Sequence, residues 1–150
     1  MDDEEAMGLA LAQARLAPEV GDVPIGAVLL DETGAVVVAT HNRREVDGDP
    51  TAHAELLALR EAGRARGRWH LGGCTLVVTL EPCTMCAGAI VLSRVDRVVF
   101  GAWDPKAGAC GSVLDVVADP RLNHRPAVTS GVRADECGRL LKDFFAARRR

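Results

Sequence analysis

The chain has 150 residues, 48% of them hydrophobic, a formal net charge of −3 and five cysteines. That length suits one domain and that apolar content a packed globule, which excludes a disordered chain. No apolar run approaches the ~20 residues of a membrane span, the start Met1-Asp2-Asp3-Glu4-Glu5 is acidic where a secretory signal is basic, and an odd cysteine count favours a reducing cytoplasm over a disulfide framework.

Residues 4–16 are expected to open the fold as a helix, with Met7, Leu9, Ala10, Leu11 and Ala14 on its apolar side. Val23–Leu30 and Val36–Thr40 read as strands joined by a turn at Asp31-Glu32-Thr33-Gly34. A helix follows from about Thr51 to Arg64, with Asp49 or Thr51 as its cap. Cys74–Leu80 reads as a buried strand, and Pro82 suits the first turn of a helix running to about Ser93. Val95–Phe100 gives another strand. Then come a loop over Ala102–Gly111, a short helix near Ser112–Val117, a strand at Ala127–Val132 and a helix from Ala134 onward. Strands alternating with helices predict an α/β layer sandwich whose later strands are parallel.

Charge is uneven along this order. Residues 1–50 carry 3 basic and 11 acidic groups, whereas residues 121–150 carry 8 basic and 3 acidic. The basic end, with Arg139, Arg148, Arg149 and Arg150, is either a phosphate-binding surface or a solvated helix face.

The strongest signal is Pro50-Thr51-Ala52-His53-Ala54-Glu55 followed by Glu81-Pro82-Cys83-Thr84-Met85-Cys86. It supplies one imidazole, two thiols and a carboxylate that need not bind metal. Zinc favours such ligands, and a catalytic zinc keeps three protein ligands and leaves a fourth position for water. Thiols at a helix start deprotonate readily, which is the state a metal needs. In a first turn the His53 and Glu55 side chains tilt back toward the N-terminus and flank one site. The bland alternatives are a redox cysteine pair or a closed structural zinc site. The second needs a fourth ligand from Cys74, Cys110 or Cys137, which otherwise read as small buried residues.

The pattern H-x-E…P-C-x-x-C is the signature of the zinc nucleobase deaminases. It assigns one zinc per chain to His53, Cys83 and Cys86. Glu55 becomes the general acid–base, passing the water proton to a ring nitrogen and then delivering a proton to the departing amine.

Beyond that motif the chain resembles the bacterial tRNA adenosine deaminase family, within the cytidine deaminase-like superfamily. Val23-Pro24-Ile25-Gly26-Ala27-Val28 resembles the family's first strand, and residues 79–89 resemble its second zinc motif. Arg97-Val98-Val99-Phe100-Gly101 with Asp104, Lys106 and Gly108 is similar to its substrate loop. Leu122-Asn123-His124 and residues 140–145 resemble its C-terminal signatures. The resemblance implies a single CMP/dCMP-type zinc deaminase domain over residues 1–150, built as a three-layer α/β/α sandwich on a five-stranded mixed sheet. It also implies a cytoplasmic homodimer, with Ala87, Ala89, Ile90 and Val91 as part of its seam.

The implied substrate is adenosine at the wobble position of a tRNA anticodon loop, converted to inosine. An unstacked loop base enters a pocket that a base in a duplex does not reach. Asn42 would bond the base edge, or serve only as a turn residue beside Arg43. Asp104, Lys106 and Asn123 would hold flanking nucleotides, Asp104 being otherwise a turn former before Pro105. Of Phe144 and Phe145 one is expected to touch RNA, with Phe145 as the candidate. Trp103 departs from the family pattern directly before Asp104. The zinc motif is shared with deaminases of free nucleobases and nucleosides, so a guanine- or cytosine-type enzyme is the alternative. A non-enzymatic zinc module that binds RNA would need a fourth ligand and leave Glu55 idle.

Overall fold

In the computed structural model, which describes residues 1–148, the elements follow in the order α1 (Asp3–Leu16), β1 (Gly26–Leu30), β2 (Val36–His41), α2 (Arg44–Asp47), α3 (Ala54–Arg66), β3 (Thr75–Leu80), α4 (Thr84–Leu92), β4 (Arg97–Ala102), β5 (Ala127–Thr129) and α5 (Ala134–Arg148). Asp2 starts α1 by accepting a hydrogen bond from the Glu5 N–H at 2.8 Å, and Asp3, Glu4 and Glu5 place negative charge on its first turn.

The sheet runs β2-β1-β3-β4-β5, antiparallel from β2 to β3 and parallel from β3 to β5. Successive side chains alternate across it. Leu76, Val78, Val98 and Phe100 pack with Ala58 and Ala62 of α3 and Ile90 of α4. Val28, Val77 and Val99 pack with Met7, Ala10 and Leu11 of α1 and Cys137 of α5. The chain is therefore the expected α/β/α sandwich on a five-stranded mixed sheet. Contact between α1 and β1 is close: a Cβ on Gly26 would lie 2.0 Å from the Ala10 carbonyl oxygen, so only glycine fits. No described helix is long and apolar enough to cross a membrane.

Several boundaries differ from the sequence reading, each for a local reason. β1 starts at Gly26 rather than Val23, because Pro24 has no N–H for the ladder. Asp22, fully buried, accepts from the Glu45 and Val46 N–H groups at 3.1–3.2 Å, which draws the chain toward α2. β5 stops at Thr129 because Gly131 (φ 78°) and Arg133 (φ 52°) bend the backbone into α5. A single 3₁₀ turn at Val116–Ala118 replaces the helix near Ser112. Pro82 lies two residues before α4, with Cys83 between them at the cap position. Neither Asp49 nor Thr51 caps α3; Asp49 instead accepts from the Thr51 N–H and hydroxyl, both at 2.8 Å.

Candidate active site

β3 ends at Leu80, and the chain passes through Glu81 and Pro82 directly into α4. Cys83 thus sits at the cap and Cys86, fully buried, in the first turn. His53 occupies the cap position of α3 with extended backbone (φ −74°, ψ 149°), and Glu55 lies in that helix's first turn. The two helix starts meet beyond the C-terminal ends of the parallel strands β3 and β4, where open α/β sheets place their ligands.

His53 Nδ1 lies 3.7 Å from Cys83 Sγ and 3.5 Å from Cys86 Sγ, and the three ligand atoms are all within 4.8 Å of one another. A tetrahedral zinc with bonds of about 2.3 Å to sulfur and about 2.0–2.1 Å to nitrogen spaces its ligand atoms roughly 3.5–3.8 Å apart. The trio fits that ion. Among the described residues no fourth ligand joins it; Cys74, Cys110 and Cys137 are free and buried elsewhere. Burial pushes the Cys110 thiol up to about 12 and the Cys137 thiol up to about 11, so both stay neutral core residues. Cys83 differs. The hydrogen bond from Cys86 and a second from His53 bring its thiol down to about 3, while the same contact and burial push Cys86 upward. The pair already favours one thiolate, and zinc takes both.

Glu55 is 4% exposed, and its Oε1 has no hydrogen-bond partner among the described residues. Burial pushes its carboxyl above the ordinary glutamate range, with the His53 ring acting the other way. An orphaned buried oxygen is costly, and such groups concentrate where a ligand completes them. Glu55 lines a cavity of ≈ 230 Å³ together with His53, Cys83, Asn42, Arg44, Asp104 and Phe145. That volume falls below the roughly 300–1,000 Å³ of drug-sized pockets. It opens toward a wider cleft of ≈ 710 Å³ lined by Trp103, Lys106, Lys142 and Phe145.

The sequence-assigned residues distribute unevenly around this pocket. Asn42 is buried, and its Oδ1 accepts the Ala54 N–H at 2.9 Å, so it caps α3 from another element. Its amide N–H₂ has no acceptor among the described residues. Asp104 both lines the pocket and forms a turn, accepting from the Lys106 and Ala107 N–H groups at 3.1 and 3.2 Å. Lys106 stands in the adjoining cleft. Phe145, 44% exposed, borders both cavities, whereas Phe144 is half-buried under the Arg148 guanidinium at 4.5 Å. Neither ring joins the core. Asn123 is not brought to the pocket. It is exposed beside His124, whose Nε2 donates to the Val95 carbonyl before β4, while the pocket lies past the other end of that strand.

Arg148 is not a free cation either, since it also donates to the Gly21 carbonyl at 3.0 Å; Arg149 and Arg150 lie outside the described residues. The α4 surface needs a similar correction. Ala87, Ile90 and Val91 are core residues and Ala89 is half-buried against them, which leaves Leu92 exposed.

Two residues at the site had no role from sequence. Arg44 is exposed at the pocket rim, two positions after Asn42. Glu81 is 2% exposed. Although burial raises its carboxyl, hydrogen bonds from Ser112, Asp104 and Cys110 hold it below the ordinary range. The available signal was a carboxylate placed at the end of an apolar strand, where it has to find partners.

A three-layer α/β/α sheet carrying a His–Cys–Cys trio and a non-ligating carboxylate at two facing helix starts defines the class of zinc-dependent deaminases. Residues 1–102 match the cytidine and deoxycytidylate deaminase zinc-binding region, and the chain belongs to that family. It is 51% identical to the tRNA-specific adenosine deaminase of Bacillus subtilis (strain 168) over 143 residues, 95% of this chain and 88% of that protein. It is also 52% identical to a stretch of the tRNA(Ile)-lysidine synthase of Deinococcus radiodurans, covering 97% of this chain and 25% of that longer protein. Among solved structures, a tRNA:A34 deaminase studied for A-to-I editing at the wobble position superimposes with a TM-score of 0.88. It is 45% identical, and the match covers 91% of this chain and 99% of that one.

Proposed function

We propose that this chain hydrolyses adenosine to inosine, with release of ammonia, at the wobble position of a tRNA anticodon loop. The observation that carries the reading is the orphaned Glu55 Oε1 beside the His53–Cys83–Cys86 trio, in a pocket sized for one base. The likeness to tRNA-specific adenosine deaminases supplies the substrate class.

His53, Cys83 and Cys86 would hold a zinc ion, which when bound would supply a water activated for attack near neutral pH. Glu55 Oε1 takes the proton released from that water and gives it to the ring nitrogen beside the reacting carbon. It then moves the second proton of the attacking oxygen to the exocyclic amine, so that the carbon–nitrogen bond breaks, ammonia departs and the carbonyl of inosine forms. Burial of Glu55, which favours its protonated form, suits it to hold a proton between these transfers. The Asn42 amide orients the base edge, and Asp104, Lys106 and Phe145 receive the neighbouring nucleotides. Asn123 sits away from the pocket of its own chain, so its part in RNA binding needs a second protomer or a longer reach along the RNA.

A homodimer working in the cytoplasm completes the reading. Trp69 and Leu92, each 70% exposed, flank a groove between α3 and α4 that a second copy would cover. Sedimentation at micromolar protein should give a dimer; a monomer there removes this assignment.

The decisive assay incubates the zinc-loaded protein with an anticodon stem-loop, with guanine and with cytidine, measuring ammonia, inosine and metal content. Inosine from the stem-loop alone, with one zinc per chain, is the expected result. Turnover of guanine or cytidine without turnover of RNA would overturn the reading.

A further inference from the structure

Apart from Ala109 and Cys110, which reach the core, the loop between β4 and the 3₁₀ turn buries little apolar surface: Trp103, Pro105, Lys106, Ala107 and residues 111–115 are exposed. Such segments open easily unless polar contacts hold them. Here the contacts converge on one side chain. Glu81 Oε1 accepts from the Asp104 N–H at 2.9 Å and from the Ser112 hydroxyl, and Oε2 accepts from the Cys110 and Ser112 N–H groups, both at 3.0 Å. Backbone bonds brace the same junction, Glu81 N–H to the Ala102 carbonyl and Ala109 N–H to the Pro82 carbonyl, each at 2.8 Å. The loop passes so close over the carboxylate that a Cβ on Gly108 would lie 2.3 Å from it.

We propose that Glu81 is a positioning residue, holding residues 104–112 in the shape that receives the nucleotides around the reacting base; this rests on the RNA-deaminase reading above. Both its oxygens are fully engaged by the loop, two bonds each, which leaves none for the substrate or a proton transfer. A carboxylate suits the task because three N–H groups and a hydroxyl converge on it, a donor set that only an acceptor satisfies. With the loop already ordered, RNA meets Asp104 and Lys106 in place; without the anchor, that ordering is deferred to binding and opposes it.

The test uses the zinc-loaded full chain and an anticodon stem-loop. Glu81→Gln turns one acceptor into a donor that faces N–H groups. It should raise KM about tenfold or more, with kcat falling far less than KM rises. Zinc should stay at one per chain. Amides 104–112 should exchange faster, while amides of β3 and α3 keep their protection. Gly108→Ala, which crowds the carboxylate and leaves Glu81 in place, should reproduce the pattern, and Glu81→Asp should recover part of the loss. An unchanged KM with unchanged loop exchange overturns the proposal. So does a fall in kcat at constant KM, which would give Glu81 a chemical role. Loss of zinc together with opening of β3 and α3 also overturns it, since Glu81 would then be a general stability residue. If the parent protein fails to deaminate the stem-loop, the RNA reading falls, while the exchange of amides 104–112 still decides whether Glu81 holds the loop.

Discussion

Glu55→Ala should retain one zinc per chain and a folded structure while deamination of an anticodon stem-loop falls by at least roughly 10²–10⁴-fold, the usual contribution of a general acid–base group. Alanine is a strong helix former, so α3 keeps its first turn. None of the three zinc ligand atoms belongs to residue 55. Near-parental turnover at saturating RNA would falsify the proton-transfer role. Glu55→Gln adds a second readout through stability. A buried carboxyl with a raised pKa binds its proton more tightly in the folded state, so ionising it weakens the fold as pH rises above the unfolded value. Glutamine does not ionise. Metal-free Glu55→Gln should therefore melt above the metal-free parent at neutral pH, and the gap should close as pH falls toward about 4.3. A gap that widens on acidification would contradict the assigned environment.

Cys86→Ala should have the other large effect, and it separates metal from proton transfer. Cys86 is fully buried and lies 3.5 Å from His53 Nδ1, so its removal leaves an imidazole and one thiolate to hold the ion. Metal content should fall well below one zinc per chain, and deamination should drop to background. Part of the fold's stability should go with the ion, because binding energy at a site formed by folding is folding energy. The apolar layers on both sheet faces remain, so the secondary structure should persist in circular dichroism. Retention of a full zinc would mean that another residue completes the site.

The sheet and the metal trio were legible in the sequence because both are local signals. Apolar strands such as Thr75–Leu80 announce themselves by composition, and His53, Cys83 and Cys86 by spacing at helix starts. What sequence did not yield depends on contacts between distant segments. Asn42 reads as a base contact or a turn residue; that it caps α3 follows only from β2 ending beside that helix. Glu81 reads as a motif neighbour, and the three residues that give it four hydrogen bonds lie 23 to 31 positions further on. Arg148 counts as a free charge in composition, yet it folds over Phe144 and onto the Gly21 carbonyl.

The cap at α3 constrains how this scaffold could change its substrate. His53 stands at the helix start with its ring turned to the Cys83 and Cys86 sulfurs, so Asn42 satisfies the first amide of that helix. Any replacement at position 42 chosen to suit a different base must still accept the Ala54 N–H, or the helix start that aims both His53 and Glu55 loses about 1 kcal/mol of support. Aspartate keeps the acceptor and removes the donor; serine keeps an acceptor on a shorter arm; aliphatic residues keep neither. Under the base contact proposed for Asn42, base preference and the helix start that carries His53 share one side chain. Selection for a new substrate at this position meets a penalty in zinc retention first, and variants with altered preference should emerge only alongside a second change that restores the cap.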